Sequence, residues 1–180
     1  MSRIAPVDER KVDPETAEML RKYKEMWDGD WNLTRVLANA PALLEAFGGF
    51  WAGLRRTSLS DVEREVVALE MAYLNDCHYC KPAHIMASRE VGLPDVEIRR
   101  VLSGGMMKDA RAALVQRATR RIVETKGKLG DEEFRSFQEQ GLSSAEMLEI
   151  VGEIAHCTLT NFANRLAQTE LDDSLIRVKL

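Results

Sequence analysis

Apolar residues recur at intervals of three and four along almost the whole chain, with polar residues between them. This spacing is typical of α-helices that bury one face, and no stretch alternates for long enough to predict a strand. Capping residues and Gly or Pro interrupt the pattern repeatedly, as at Asp13-Pro14 and Gly92. The sequence therefore predicts an all-α fold, a compact bundle of roughly eight helices.

The length of 180 residues fits one domain that can bury a hydrophobic core. Residues 1–12 precede the first capping signal and are predicted to form an N-terminal extension. Residues 13–170 form the predicted helical domain. Residues 171–180 alternate only briefly, so we expect a C-terminal tail that covers a neighbouring subunit or frays.

Charge and hydropathy narrow the possible partners and compartment. The chain has 25 basic and 29 acidic residues and a net charge of −4, which argues against nucleic acid as a partner. No apolar run reaches the length of a membrane span, and the N-terminus is too charged for a signal peptide. We therefore expect a cytoplasmic protein with no membrane partner.

The most informative stretch is EVVALEMAYLNDCHYCKPAH, residues 65–84. Ser60 and Glu63 form a predicted capping box for a helix that ends near Leu74. Asn75-Asp76 then interrupts the pattern, and a second helix is predicted from about Cys77 to Val91. The stretch thus carries a carboxylate on one helix and a Cys-x-x-Cys pair on the next.

The spacing of Cys77, Cys80 and His84 places the three residues on one helical face. Near a helix N-terminus the positive end of the dipole favours a thiolate, an argument that points to Cys77 as the nucleophile. His84 lies one turn beyond Cys80 and could take the proton of that thiol instead. Glu65 is the predicted carboxylate that orients the imidazole. These arguments leave open which cysteine attacks first.

The phrase EREVVALEMAYLNDCHYCKPAH resembles the signature of the alkylhydroperoxidase D-like, peroxidase-related branch of the carboxymuconolactone decarboxylase family. The resemblance implies an enzyme, a thiol peroxidase that reduces hydrogen peroxide or organic hydroperoxides. In it, Cys80 attacks the peroxide and becomes a sulfenic acid, and Cys77 condenses with Cys80 to a disulfide that an external dithiol reduces. Glu65 and His84 form the proton relay. The resemblance also implies a homo-oligomer, a trimer or hexamer.

One position departs from the best-studied members, which have a histidine where this chain has Tyr79. Tyr79 is predicted to lie near the site because it adjoins Cys80. His156 and Asn161, on the last helix, are further candidates if that helix crosses the pocket, although a satisfied core histidine is the favoured interpretation of His156. Cys157 lies in an apolar helical stretch and is predicted to be an inert buried residue.

A non-catalytic module is the alternative hypothesis. Cys77, Cys80, His84 and Glu65 are ligand types that zinc accepts, and a Cys-x-x-Cys pair also suits a redox sensor or a disulfide-exchange partner. Apart from His156-Cys157, the chain has no second cluster of cysteine and histidine. We therefore expect neither a metal nor a cofactor, and we favour the enzyme.

Overall fold

The computed structural model describes residues 2–27 and 29–180, and Met1 and Asp28 lie outside the described residues. All regular secondary structure in the described residues is helical, which confirms the predicted all-α, single-domain fold. A short 3-10 helix at Glu9–Lys11 precedes ten α-helices within this part of the chain, more than the eight expected. The α-helices are α1 Pro14–Met26, α2 Asn32–Leu37, α3 Pro41–Leu54, α4 Asp61–Leu74, α5 Cys80–Glu90, α6 Asp95–Leu102, α7 Ala110–Thr125, α8 Asp131–Glu139, α9 Ser144–Ala167 and α10 Asp173–Ile176.

Helix α4 is the centre of the bundle and packs against α5, α6, α7 and α9. Its N-terminus is held by the predicted capping box, in which Ser60 accepts the N–H of Glu63 and the Glu63 carboxylate accepts the N–H of Ser60. Val66 and Leu69 are fully buried in the main hydrophobic core. Because α4 is covered on several sides, the polar residues that it carries are forced into contact with neighbouring helices.

Helix α9 is the longest element, with 24 residues. Ser143 and Glu146 form a second capping box at its start, and Gln168 ends it in a left-handed conformation with φ of 50°. It packs on α4, α5 and α7 and also on α2 and α3. This path brings residues from the C-terminal part of the chain to the region of Glu65 and His84.

The start of α5 is a correction to the sequence prediction, because the helix begins at Cys80 and not at Cys77. Asp76 adopts a left-handed conformation with φ of 45°. The N–H of Cys77 then bonds to the carbonyl of Ala72, which closes the end of α4. Residues 78–79 form a turn before the helix starts. Cys77 therefore belongs to the junction between the two helices.

Both chain ends are attached to the helical bundle. The backbone N–H groups of Arg3 and Ile4 bond to the carbonyl of Ala167 at the end of α9. Fraying, one of the two outcomes expected for the tail, does not occur, because α10 forms within it and Leu175 is 1% exposed. The division into extension, domain and tail stays a prediction. Within residues 2–27 and 29–180, no helix is both long and apolar enough to span a membrane.

Candidate functional site

Cys77 and Cys80 form a disulfide at the junction of α4 and α5, with their Cα atoms 5.2 Å apart. The Sγ atom of Cys77 accepts the backbone N–H of Cys80 at 3.1 Å, and the carbonyl of Cys77 accepts the N–H of Lys81 at 3.1 Å. Cys77 thus bonds to two N–H groups of the first turn of α5, and Cys80 is the first residue of that helix. The amide at the helix N-terminus faces the Cys77 sulfur, and the imidazole of His84 follows Cys80 by one turn. These contacts therefore do not decide which of the two cysteines attacks first.

The disulfide is buried in a small apolar cluster. Cys77 is fully buried and Cys80 is 3% exposed. Trp31 and Leu33 from α2 and its N-terminus pack on this cluster, and Leu171 and Leu175 from the C-terminal tail cover it as well. A bulky reductant can therefore reach the sulfurs only if part of this cover moves.

Glu65 and His84 meet across the α4–α5 interface, as the sequence predicted. Oε2 of Glu65 lies 2.9 Å from Nδ1 of His84, and both side chains are largely buried. The carboxylate accepts the hydrogen bond, so Nδ1 carries the proton and Nε2 is left with a lone pair. The imidazole is therefore oriented and poised to act as a base through Nε2. Its catalytic role stays a prediction.

Two opposing effects act on the pKa of His84. Burial favours the neutral ring and lowers the pKa. The negative charge of Glu65, its hydrogen bond and the charge of Glu153 favour the imidazolium and outweigh burial, so the pKa is raised above its usual value. The site can therefore hold an abstracted proton on His84.

A cavity of about 100 Å³ opens beside this pair. It is bounded by α4, α5, α9 and the end of α3, with Trp51 and Leu54 as its apolar wall. The titratable part of its lining includes Arg64, Glu65, His84, Glu153, His156 and Cys157. The cavity is small, and it brings together acids, bases and cations from four separate parts of the chain.

Glu153 is a buried acid of this cavity that the sequence analysis does not identify. It is 6% exposed, and its Oε1 atom has no hydrogen-bond partner. Burial raises the pKa of Glu153 to about 7, an effect that Glu65 reinforces and that Arg64, His84 and Arg55 oppose. A signal was present in the sequence, because Glu153 continues the buried stripe of Met147, Ile150 and Cys157 at helical spacing.

His156 lines the cavity, contrary to the favoured interpretation of a satisfied core histidine. Its ring stacks on Phe47 with centroids 5.0 Å apart, and its buried Nε2 atom has no hydrogen-bond partner. Burial, with the nearby charge of His84, lowers the pKa of His156 to about 4. The ring is therefore neutral at physiological pH. Cys157 is buried as predicted, and burial raises the pKa of its thiol well above the usual value.

The other two candidates, Tyr79 and Asn161, do not line the cavity. Tyr79 is buried beside the cysteines, and its hydroxyl donates to the Asp172 carboxylate in the tail. Asn161 is also buried, and its Oδ1 accepts a hydrogen bond from Nδ2 of Asn75 at 2.9 Å, so it supports the α4–α5 junction. One turn further on, Nδ2 of Asn164 lies 3.6 Å from the Cys80 sulfur. Sequence reasoning did not identify Asn164.

Two further features of the site are the position of His78 and the side chains that could bind a metal ion. His78 is exposed, and its Nε2 lies 2.8 Å from the carbonyl of Thr169. Among residues 2–27 and 29–180, no three or more His, Cys, Asp and Glu side chains are grouped so as to hold a metal ion. In this structure the two thiols that a zinc site would use are joined to each other.

Comparisons with known proteins agree with the fold. Residues 41–121 match the model of the carboxymuconolactone decarboxylase family, and this segment includes Glu65, both cysteines of the pair and His84. A search of curated proteins returned no match.

Among solved structures, an uncharacterised peroxidase-related protein with an alkylhydroperoxidase AhpD core from Ralstonia eutropha is similar at 18% identity. The TM-score is 0.85, over 99% of this chain and 98% of that one. An uncharacterised peroxidase-related protein from a Silicibacter species is 17% identical, with a TM-score of 0.78 over 96% of this chain and 94% of that one.

A third structure of similar fold is a cysteine-to-alanine variant of the debrominase Bmp8 in complex with 2,3,4-tribromopyrrole. It is 14% identical, with a TM-score of 0.77 over 96% of this chain and 93% of that one. The family match over the segment that carries the site confirms the resemblance to the carboxymuconolactone decarboxylase family, and the solved structures of peroxidase-related proteins with an AhpD-like fold agree with the fold of nearly the whole chain.

Proposed function

We propose that the protein is a thiol peroxidase that reduces hydrogen peroxide or a small organic hydroperoxide through the Cys77–Cys80 pair. The observation that carries the proposal is the contact of Glu65 with His84, one helical turn from Cys80. This contact supplies an oriented base beside a redox-active dithiol, which is what activation of a cysteine nucleophile requires.

In the proposed reaction, Nε2 of His84 takes the proton of the Cys80 thiol. The thiolate attacks one peroxide oxygen, an S–O bond forms and the O–O bond breaks, which gives a Cys80 sulfenic acid and an alcohol or water. The Cys77 sulfur then displaces the sulfenic oxygen as water and forms the disulfide. An external dithiol returns the two electrons by thiol–disulfide exchange.

Cys80 is the proposed first nucleophile because two neighbouring groups act on its sulfur. His84 lies on the next turn of the same helix, and the Asn164 amide points at the sulfur with a distance of 3.6 Å. An N–H donor directed at sulfur stabilises the thiolate relative to the thiol. The amide that faces Cys77 supports the opposite assignment, so the two cysteines are tested separately below.

The cellular context forms part of the proposal. A reducing cytoplasm would supply the external dithiol and keep the pair in its reactive form between turnovers. The exposed face of α9 supports a homo-oligomer because it presents an apolar stripe to solvent. The stripe consists of Leu148, Val151, Phe162 and Leu166.

The alternative is a redox-sensing or disulfide-exchange module, and the burial of both cysteines favours it. A sensor would form the same disulfide but would not turn over with peroxide and dithiol. A structure of similar fold is a debrominase, so a halogenated pyrrole is a necessary comparison substrate.

The proposed function is tested on the fully reduced, metal-free protein. One equivalent of hydrogen peroxide, cumene hydroperoxide or 2,3,4-tribromopyrrole is added, and thiols and intact mass are followed with time. We expect either peroxide to remove two thiols per chain with a loss of two hydrogens, and repeated turnover with dithiothreitol. Cys157→Ser is the matched control and should behave like the natural protein. Oxidation by the pyrrole alone, or a single oxidation without turnover, would contradict the proposal.

A further inference from the structure

The side-chain amide of Asn164 contacts the sulfur that the proposed reaction oxidises. Asn164 lies near the end of α9 and is fully buried, and its Nδ2 atom lies 3.6 Å from Sγ of Cys80. Its Oδ1 atom is also buried and has no hydrogen-bond partner. A side-chain amide has a donating end and an accepting end, and here the accepting end is free beside a reactive sulfur. Because a buried polar atom without a partner is unfavourable, this oxygen calls for a role in the site.

Other polar side chains near the cysteines are already engaged. The Tyr79 hydroxyl donates to a carboxylate of the C-terminal tail. Oδ1 of Asn161, three residues before Asn164 on the same helix, accepts Nδ2 of Asn75 at 2.9 Å. Oδ1 of Asn164 thus combines burial and a free lone pair with a direct contact of its own side chain to Cys80.

We propose that Asn164 is a further catalytic residue, whose Oδ1 atom accepts the O–H of the oxygen that Cys80 takes from the hydroperoxide. The inference rests on the proposed function. The attacked oxygen of a hydroperoxide carries a hydrogen, and the same oxygen carries a hydrogen in the sulfenic acid. This oxygen is one covalent bond from the sulfur that Asn164 contacts, so the amide is within its reach. One acceptor therefore serves both the substrate and the intermediate, while Nδ2 donates to the sulfur.

The reaction balances without a further reactant. The Cys80 thiolate attacks the oxygen that carries the hydrogen, the S–O bond forms, and the O–O bond breaks. The alkoxide takes up the proton that the thiol lost, and two electrons pass from the sulfur to the hydroperoxide. The Cys77 sulfur then displaces the sulfenic oxygen, which leaves as water with the proton of the Cys77 thiol. Oδ1 of Asn164 loses its partner in that step, in agreement with its unpartnered state beside the disulfide.

An oxidant that delivers oxygen and an alkylating agent that does not can separate this role from activation of the thiol. Both react with reduced Cys77→Ser on the alkaline plateau of the pH–rate profile, where Cys80 is fully ionised and a change in its ionisation does not contribute. We expect Asn164→Ala in this background to slow oxidation of Cys80 by cumene hydroperoxide about tenfold, from the loss of one hydrogen bond. Alkylation of Cys80 by iodoacetamide should change less than about threefold, because the nucleophilicity of the thiolate changes little and no oxygen is transferred.

The matched control is Thr160→Ala, one turn earlier on α9, which removes a buried hydroxyl that bonds to the Cys157 carbonyl at 3.1 Å. In the Cys77→Ser background it should leave both rates unchanged. An equal change with both reagents in Asn164→Ala, or no change, would overturn the role of Asn164 and leave the peroxidase intact. A natural protein that iodoacetamide alkylates but cumene hydroperoxide does not oxidise would instead overturn the proposed function.

A crystal structure of Cys77→Ser after one equivalent of hydrogen peroxide covers the case in which Asn164→Ala does not fold. The sulfenic oxygen on Cys80 should lie about 2.5–3.0 Å from Oδ1 of Asn164, the range of an O–H···O hydrogen bond. A sulfenic oxygen more than about 3.5 Å from Oδ1 would overturn the inference.

Discussion

Nδ1 of His84 lies 2.9 Å from Oε2 of Glu65, across the interface of two helices that a tight turn brings together. This contact fixes the tautomer of the ring and leaves the lone pair of Nε2 available. It also raises the pKa of His84 against the opposing effect of burial. The ring is therefore both oriented and able to retain a proton.

Glu65→Gln keeps the shape of the side chain and an oxygen acceptor but removes the charge. We expect a lower pKa for His84, measured by NMR titration of the ring. We also expect the rate of peroxide reduction to fall at least about tenfold. The stabilising contribution of the pair is fully present below the unfolded His pKa of about 6.5 and is lost as pH rises through the higher folded pKa. A loss of stability without a change in rate would make Glu65 a structural residue.

The buried carboxyl of Glu153 predicts a pH dependence of folding. Its pKa rises from 4.5 to about 7 in the folded protein, so the folded state binds the proton more tightly than the unfolded state. Stability should therefore fall as pH rises from about 4.5 to 7, by up to about 3 kcal/mol from this group. Urea unfolding at pH 5 and pH 8 should show this loss in the natural protein and less of it in Glu153→Gln. An equal pH dependence in both would contradict it.

The contact between Tyr79 and the tail predicts how fast the disulfide is reduced. The Tyr79 hydroxyl donates to Asp172 and accepts the N–H of Leu33 at 3.3 Å, which holds the covering segments over the cysteines. Tyr79→Phe should loosen this cover and speed reduction by dithiothreitol roughly tenfold, since a lost buried hydrogen bond is about 1–2 kcal/mol.

Tyr23→Phe is the control for that experiment. It removes a buried hydrogen bond to the Leu44 carbonyl, in an aromatic cluster separate from the cysteines. Its disulfide should be reduced at the natural rate. If both variants are reduced at that rate, the tail does not limit access.

The exposed apolar stripe of α9 predicts self-association. Leu166 is 62% exposed and Phe162 is 57% exposed, and burial of such side chains between copies is favourable. Light scattering should show an oligomer for the natural protein and monomers for Leu166→Glu. Val96→Glu, an equally exposed position on α6, should leave the oligomer intact. A monomeric natural protein would contradict the proposal.

Much of this site could be predicted because it is local in sequence. The capping box at Ser60, the turn at Asn75-Asp76 and the helical spacing of Cys80 and His84 are all short-range features. The meeting of Glu65 with His84 followed from packing two consecutive helices. The start of α5 was misplaced because closure of α4 uses the N–H of Cys77, a competition that spacing alone does not reveal.

The missed features depend on contacts between distant parts of the chain. Which face of α9 meets the cavity is set by its packing on α3 and α4, so Glu153 and Asn164 carried only a weak signal. The cover of Leu171 and Leu175 over the disulfide depends on the path of the tail after α9. Neither Leu171 nor Leu175 lies near the cysteines in sequence.

Locating the first oxidation event tests whether Cys80 is the nucleophile. Reduced Cys77→Ser is treated with one equivalent of cumene hydroperoxide and a sulfenic acid trap, and the adduct is mapped by mass spectrometry. We expect an adduct on Cys80 and little on the buried Cys157. An adduct on Cys157 alone would contradict the assignment of Cys80 as the first nucleophile. The assignment would also be contradicted if Cys77→Ser gives no adduct and Cys80→Ser gives an adduct on Cys77.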